Sequence, residues 1–210
     1  MQRNLQRLSQ RCPPAGDNIA GGETTMRKST LIYGSVAALV AVLAAGAAIS
    51  AQDKYTLKVP GGLAFSEFRG YESWPVIAIS ENQGLIAVIV GNQAMIDAYR
   101  QGVPDNGKPF PNGAKMAKVH WNPKTQATYP GQPKVPGTVH DVDFMVKDSK
   151  RFADSGGWGW AEFEYDGATN TFRPGTTADS PPQEHDAKCG FACHTAVQNR
   201  DYVFTEYGKR

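Results

Sequence analysis

Apolar and polar positions along this chain repeat with periods that mark out its elements. Leu85-Ile-Ala-Val-Ile-Val90 is a short, almost wholly apolar and β-branched run, the pattern of a buried strand. Asn92 follows it and can cap a helix predicted from Gln93 to about Arg100, with Met95, Ile96 and Tyr99 inward and Gly102 ending it. Period-two alternation predicts a strand over Met116 to Trp121, with Met116, Lys118 and His120 on one face and Ala117, Val119 and Trp121 on the other. From Val139 to Lys147, Val142, Phe144 and Val146 oppose Asp141, Asp143 and Met145. From Trp158 to Tyr165, Trp158, Trp160, Glu162 and Glu164 oppose Ala161, Phe163 and Tyr165, and Asp166-Gly167 supplies a closing turn. Phe65, Phe68, Tyr71 and Trp74 recur every three residues, which predicts a short helix whose aromatic stripe belongs to the core. Asp148 to Ala153 reads as another short helix, ended by Gly156-Gly157.

Loops separate these elements. Residues 102–113 hold three prolines, three glycines and two asparagines, and residues 122–138 hold four prolines, so both are predicted to be irregular. Residues 53–64 read as an extended lead-in, and Arg173 to Asp186 as a crossing without an element. Thr195 to Tyr207 is apolar enough for a helix and a packed tail. On the Met116 strand an inward lysine and histidine are costly unless paired or aimed at a ligand. The solvent face of an antiparallel sheet is the expected place for His120. Asp141 and Asp143 suggest a calcium site or an acid–base pair, but no EF-hand-like loop accompanies them, and Asp143 is read as structural.

The start of the chain follows a different pattern. No charged residue occurs from Ser29 to Gln52, and the Ala/Val/Leu-rich run of 32–48 is preceded by Arg27-Lys28 and followed by small residues. That order predicts a signal peptide over 26–51, cleaved between about Ala48 and Gln52; an uncleaved membrane anchor is the alternative. Residues 1–25 read as a polar leader upstream of an expected start at Met26, and residues 52–210 as the mature domain. The leader through Ala51 carries five basic and two acidic residues, so the remainder keeps 17 of the 22 basic and 18 of the 20 acidic ones, a net of −1. A nearly neutral domain without a basic stripe excludes nucleic acid and points to a small-molecule substrate.

With Cys12 lost alongside the leader, the cysteines left are in His185-Asp-Ala-Lys-Cys189-Gly-Phe-Ala-Cys193-His194. Two thiols and an adjoining histidine are how a chain attaches haem covalently: the thiols add to the vinyl groups and the imidazole becomes an axial iron ligand. The gap between the cysteines is three residues where two is usual. On one helical turn i and i+4 share a face, so both sulfurs can still meet a porphyrin edge. A disulfide is also within reach of that spacing but gives the histidine no purpose. A zinc site using His185, Cys189, Cys193 and His194 would be crowded. Only 16 residues follow His194, none of them Met or His. A sixth iron ligand would have to come from Met95, Met116, Met145, His120, His140 or His185, so a five-coordinate iron is predicted.

Trp74, Gly91-Asn92, the 112–121 stretch ending Ala-Lys118-Val-His120-Trp121, Asp143-Phe-Met-Val-Lys147-Asp148, Gly156-Gly-Trp-Gly-Trp160, and Cys193-His194 followed by Asp201-Tyr-Val-Phe204 occur here in one order. In these motifs the chain, from about Tyr55 to Arg210, resembles the cytochrome P-460 family. The resemblance implies an exported α+β domain, mainly antiparallel β-sheet with a few short helices and a C-terminal haem-attachment helix, commonly dimeric. It also implies one covalent haem c held through Cys189, Cys193 and His194, and small nitrogen species, hydroxylamine or nitric oxide, as the molecules handled. Lys118 matches the lysine that cross-links to the haem edge in hydroxylamine-oxidising members, and Glu162 and Glu164 are candidates for the distal acid. A redox partner protein would accompany enzymatic activity, in the periplasm. An electron-transfer cytochrome, and a non-haem metal or disulfide-stabilised binding module, are the alternatives.

Overall fold

The computed structural model describes residues 52–59, 62–175 and 188–208. The segments 1–25 and 26–51, with the expected leader and signal peptide, and His185 lie outside the described residues. Among the described residues six strands form one antiparallel sheet: β1 Val76–Asn82, β2 Leu85–Gly91, β3 Lys115–Thr125, β4 Lys134–Lys147, β5 Trp158–Asp166 and β6 Thr171–Pro174. Each strand pairs with the next in sequence, so the sheet is a meander. The α-helices are α1, Gln93–Arg100, and α2, Lys188–His194. The fold is α+β and mainly sheet, as the resemblance implied.

The local rules explain much of this. Asn92 caps α1 by accepting from Met95 N–H. Gln83 and Gly84 between β1 and β2 both have positive φ (51° and 81°), as the tight hairpin turn that matches strand twist requires. The sheet is covered on both faces. On one, Ala117, Val142, Phe144, Val146, Ala161 and Phe163 meet Val59, Leu63, Phe65 and Phe68 from the N-terminal segment. Phe68 stacks on Phe144 at 4.1 Å between ring centroids, and Phe65 meets it edge-on at 5.1 Å. Each aromatic side chain removed from water this fully contributes about 1.5–3 kcal/mol. The opposite face carries Ile89, Met116, Met145, Trp158 and Trp160 under α1 and the C-terminal Val203.

Several expectations are corrected. The aromatic stripe is not one helix but two 3₁₀ turns, Phe65–Phe68 and Tyr71–Ser73, broken at Gly70, whose φ is 84°. A spacing of exactly three suits the 3₁₀ period, and the side chains are core as expected. The proline-rich 122–138 loop shrinks to 126–133, because Pro123 pairs with Pro136 and Thr125 with Lys134 beyond irregularities that spare the missing N–H donors. Asp148 accepts from the N–H of Lys150 and of Arg151, and this side-chain turn displaces the expected helix, leaving a 3₁₀ turn at Ala153–Ser155. Arg173 and Pro174, read as structureless, belong to β6. Thr195–Arg200 is 3₁₀ helix.

Candidate functional site

Helix α2 delivers the cysteine–histidine pair. Its backbone places positions 189 and 193 one turn apart on one face; the Cys189 side chain lies outside what is described, and Cys193 carries a free, half-buried thiol. The helix lies close on β5: a Cβ at Gly190 would stand 2.9 Å from Trp160 Cγ. His194 packs 5.8 Å from the Trp160 ring and 4.9 Å from that of Phe204, which stays 46% exposed. His194 Nδ1 donates to the Tyr202 carbonyl at 2.5 Å. A carbonyl can only accept, so the ring proton is on Nδ1, and Nε2 keeps its lone pair free for a metal. Burial, with help from the charge of Lys118, lowers the His194 pKa against the opposing Tyr202 bond, which favours the neutral, ligating form.

The Tyr202 carbonyl is itself held. Asp201 and Tyr202 both lie in the left-handed region (φ 50° and 63°). Asp201 Oδ1 accepts from Lys147 Nζ at 2.6 Å, and Oδ2 from Phe110 N–H at 2.8 Å. Lys147 also donates to the Gly156 carbonyl at 2.9 Å. The pair is buried, at 5% and 12% side-chain exposure, and ties the C-terminal strap to β4. Neither residue stood out in the sequence as a positioning group.

Facing the same side of the sheet are three cross-strand rows. Met116, Met145 and Trp160 form the apolar one; Lys118, Asp143 and Glu162 form the next; His120, Asp141 and Glu164 form the third. Lys118 is half-buried, and its charge reaches both His194 and Asp143. Lys115 turns to the other face and donates to the Glu67 carbonyl, as alternation required. Burial, then the charges of Asp143, Asp141 and Glu164, push Glu162 up to about 8, so it holds a proton at neutral pH. Glu164 instead accepts from Arg173 Nε at 2.9 Å at the edge of the sheet. Sequence alone ranked the two alike.

His120 is not on a solvent face: its side chain is 14% exposed, and Nδ1 is hydrogen-bonded to Asp141 Oδ1. His140 Nδ1 bonds the other oxygen, Oδ2, at 2.5 Å. Burial works to raise Asp141, but the bonds from His120 and His140 outweigh it and hold the carboxyl below its usual range. Burial and the Asp141 charge raise Asp143; with 44% of its side chain accessible, the neighbouring charge is the firmer cause. Asp143 is therefore part of an ionisable cluster and not merely structural. Donor atoms of His120, Asp141 and Asp143 all lie within 4.8 Å of one another, although both imidazole Nδ1 atoms are already engaged by Asp141.

The arrangement fits a haem: a neutral imidazole with a free Nε2, a free thiol next to it in sequence, an exposed aromatic ring at its side, and a buried Trp160 indole N–H with no hydrogen-bond partner. No individual curated protein matches the chain. A family model described as Cytochrome P460 matches residues 68–205, a span that takes in all six strands, the Lys118 row, α2 and the Asp201 strap. With that match over most of the described residues, beside a histidine whose Nε2 is free at the end of α2, the chain belongs to the cytochrome P460 family and is a haem-binding cytochrome.

Proposed function

We propose that the protein is an exported, periplasmic cytochrome with one covalent c-type haem and an open iron position for small nitrogen species, hydroxylamine or nitric oxide. The observation that carries this reading is His194, whose Nδ1 is engaged by the Tyr202 carbonyl while Nε2 stays free beside Cys193. Cys189 and Cys193 are assigned the thioether bonds and His194 the axial ligation. The bound haem supplies one-electron chemistry at iron. The chain's own residues would orient the substrate and move protons: Glu162, protonated at neutral pH, is the favoured acid, ahead of Glu164 with its Arg173 partner. Lys118 is assigned the cross-link to the haem edge. A redox partner protein would take electrons, and a homodimer is the proposed assembly.

The open iron position is supported by where the alternative ligands sit. Met95 on α1 and Met116 and Met145 on the sheet are buried in one core cluster, and His120 and His140 are bonded to Asp141. An electron-transfer cytochrome would have to release one of these, or use His185. No helix among the described residues is long and apolar enough to cross a membrane; a membrane association would come from an uncleaved leader.

The test is expression of the full chain with haem-ligation machinery. Mass spectrometry after denaturation should give the polypeptide plus one haem; the bare polypeptide mass would overturn the reading. The resting protein should be five-coordinate and bind nitric oxide when ferrous, whereas a low-spin six-coordinate spectrum would favour electron transfer. A tryptic fragment joining the Lys118 segment to the haem peptide, with hydroxylamine oxidation lost in Lys118→Ala, would establish an enzyme. An unlinked Lys118 with nitric oxide binding alone would leave a gas-binding cytochrome.

A further inference from the structure

We infer that His120, Asp141 and Asp143 form a binding site for a divalent transition metal ion, zinc or a first-row neighbour, on the cleft side of the sheet. The inference goes beyond the haem chemistry proposed above and does not depend on it. Its first basis is distance. Donor atoms of the three residues, which come from two strands, all lie within 4.8 Å of one another. His120 Nδ1 and Asp143 Oδ2 are 3.8 Å apart, too far for a hydrogen bond. Two ligands of one ion, each bonded at about 2.1 Å, stand 3.8 Å apart when the angle at the metal is about 130°. An ion therefore bridges a gap that no hydrogen bond closes.

The second basis is the state of Asp143. Lys118 stands opposite it on β3 and Glu162 opposite it on β5, yet among the described residues neither is bonded to it. Its nearest polar contact is the 3.8 Å approach to His120. Asp141 lies two positions along the same strand, and the two negative charges oppose each other. A dication placed between them removes that repulsion and gives Asp143 a partner.

The third basis is the way Asp141 is held. The β3–β4 register runs from His120 opposite Asp141 directly to Trp121 opposite Val139, a bulge that leaves His140 without a partner position. On plain alternation His140 would project away from Asp141; instead its Nδ1 donates to Asp141 Oδ2 at 2.5 Å. Asp141 can therefore ligate through Oδ1 while His140 fixes Oδ2, and ligating carboxylates are commonly oriented by such a second bond. When the ion enters, His120 Nδ1 exchanges its bond with Asp141 for one to the metal, and the neutral ring carries its proton on Nε2 instead. No proton is gained or lost on balance, and no electron moves.

Two carboxylates and a neutral imidazole cancel the charge of a dication. One nitrogen and two oxygens suit zinc and its neighbours, whereas calcium takes about six to eight oxygens. Three protein ligands leave a position for water or a small anion. Asp143 is half-exposed, which gives the ion its way in from solvent.

The experiment strips the full haem-loaded chain with a chelator, adds zinc chloride and passes the protein through gel filtration. Metal analysis should find one zinc per chain beside the haem iron, and anomalous diffraction at the zinc edge should place it between His120, Asp141 and Asp143. In calorimetry Asp143→Asn, a near-isosteric change at a half-exposed position, should weaken zinc binding by about a hundredfold, and His120→Asn likewise. His140→Gln, which acts only through Asp141, should weaken it by about tenfold. Zinc lost on gel filtration, zinc located elsewhere on the protein, or unchanged affinity in Asp143→Asn would overturn the site. Soret absorbance on the same samples reads the haem assignment separately.

Discussion

Replacing Asp201 with alanine tests how the C-terminal strap, and through it the His194 ring, is held. The change leaves Lys147 Nζ buried without its carboxylate at 2.6 Å and strips the Phe110 N–H of its acceptor at 2.8 Å. Breaking one side of a buried ion pair costs about 3–5 kcal/mol, and a stranded buried N–H about 1–3 kcal/mol. The two costs overlap because they share a site. Lys147 also keeps the Gly156 carbonyl at 2.9 Å and the Trp158 ring at 5.1 Å, which softens the first. A net loss of about 4 kcal/mol is therefore expected, equivalent to a fall of about 8–16 °C in Tm for a domain of this size. Urea unfolding of the haem-loaded protein measures it. Lys147→Met removes the stranded charge, so the double variant should be more stable than the sum of the single losses predicts, by about 2 kcal/mol. A loss under about 1 kcal/mol in Asp201→Ala, or strict additivity in the double variant, would refute the strut. The Fe–His stretch of the ferrous protein should also shift in Asp201→Ala, since the Tyr202 carbonyl is one residue away.

Gly190→Ala sets two effects against each other. Helix propensity favours Ala by about 1 kcal/mol, whereas forcing a Cβ to within 2.9 Å of Trp160 Cγ costs about 1–3 kcal/mol. A net loss of about 1 kcal/mol in thermal melts is expected, and a gain would show that α2 does not lie so close. Glu162, raised from 4.5 to about 8, keeps a proton in the folded protein that the unfolded chain has already lost, so its contribution is full below about 4.5 and is lost as pH rises through about 8. Glu162→Gln should flatten that dependence: between about pH 5 and about pH 9 the wild type should lose about 4 kcal/mol of stability that the variant keeps. Cys193→Ala should weaken covalent haem attachment more than Cys189→Ala, since Cys193 keeps its usual place beside the histidine; equal retention after denaturation would contradict this.

Alternation read along single strands was enough to find β3, β4 and β5 and to separate Lys118 from Lys115, because a period of two assigns faces without knowledge of partners. It did not locate β1, whose Val76–Asn82 pattern mixes exposed and buried positions (Ile79 is 75% exposed), nor the short β6. His120 was misplaced for a related reason. Its face is wet only if nothing covers it, and both faces of this sheet carry other parts of the chain. The meeting of His120, Asp141 and His140 depends on register and on one bulge, and neither is written in the local pattern. The Lys147–Asp201 strut joins residues 54 positions apart and left no sequence periodicity to find.

The meander has a consequence for the order in which the molecule is put together. Every strand pairs with the next in sequence, through connections of 2 to 23 residues, and pairings this local in sequence close sooner than long-range ones. The strap is different: after β6 the chain must travel back across the sheet before Asp201 can meet Lys147. The six strands can thus be complete while α2 is still free in solution. On the proposed chemistry, that interval is when both cysteines are open to an attaching enzyme, before Trp160 and Phe191 close over one another. The protein would then accept its haem as an almost finished sheet with a loose end, and docking of that end would seal the group in place.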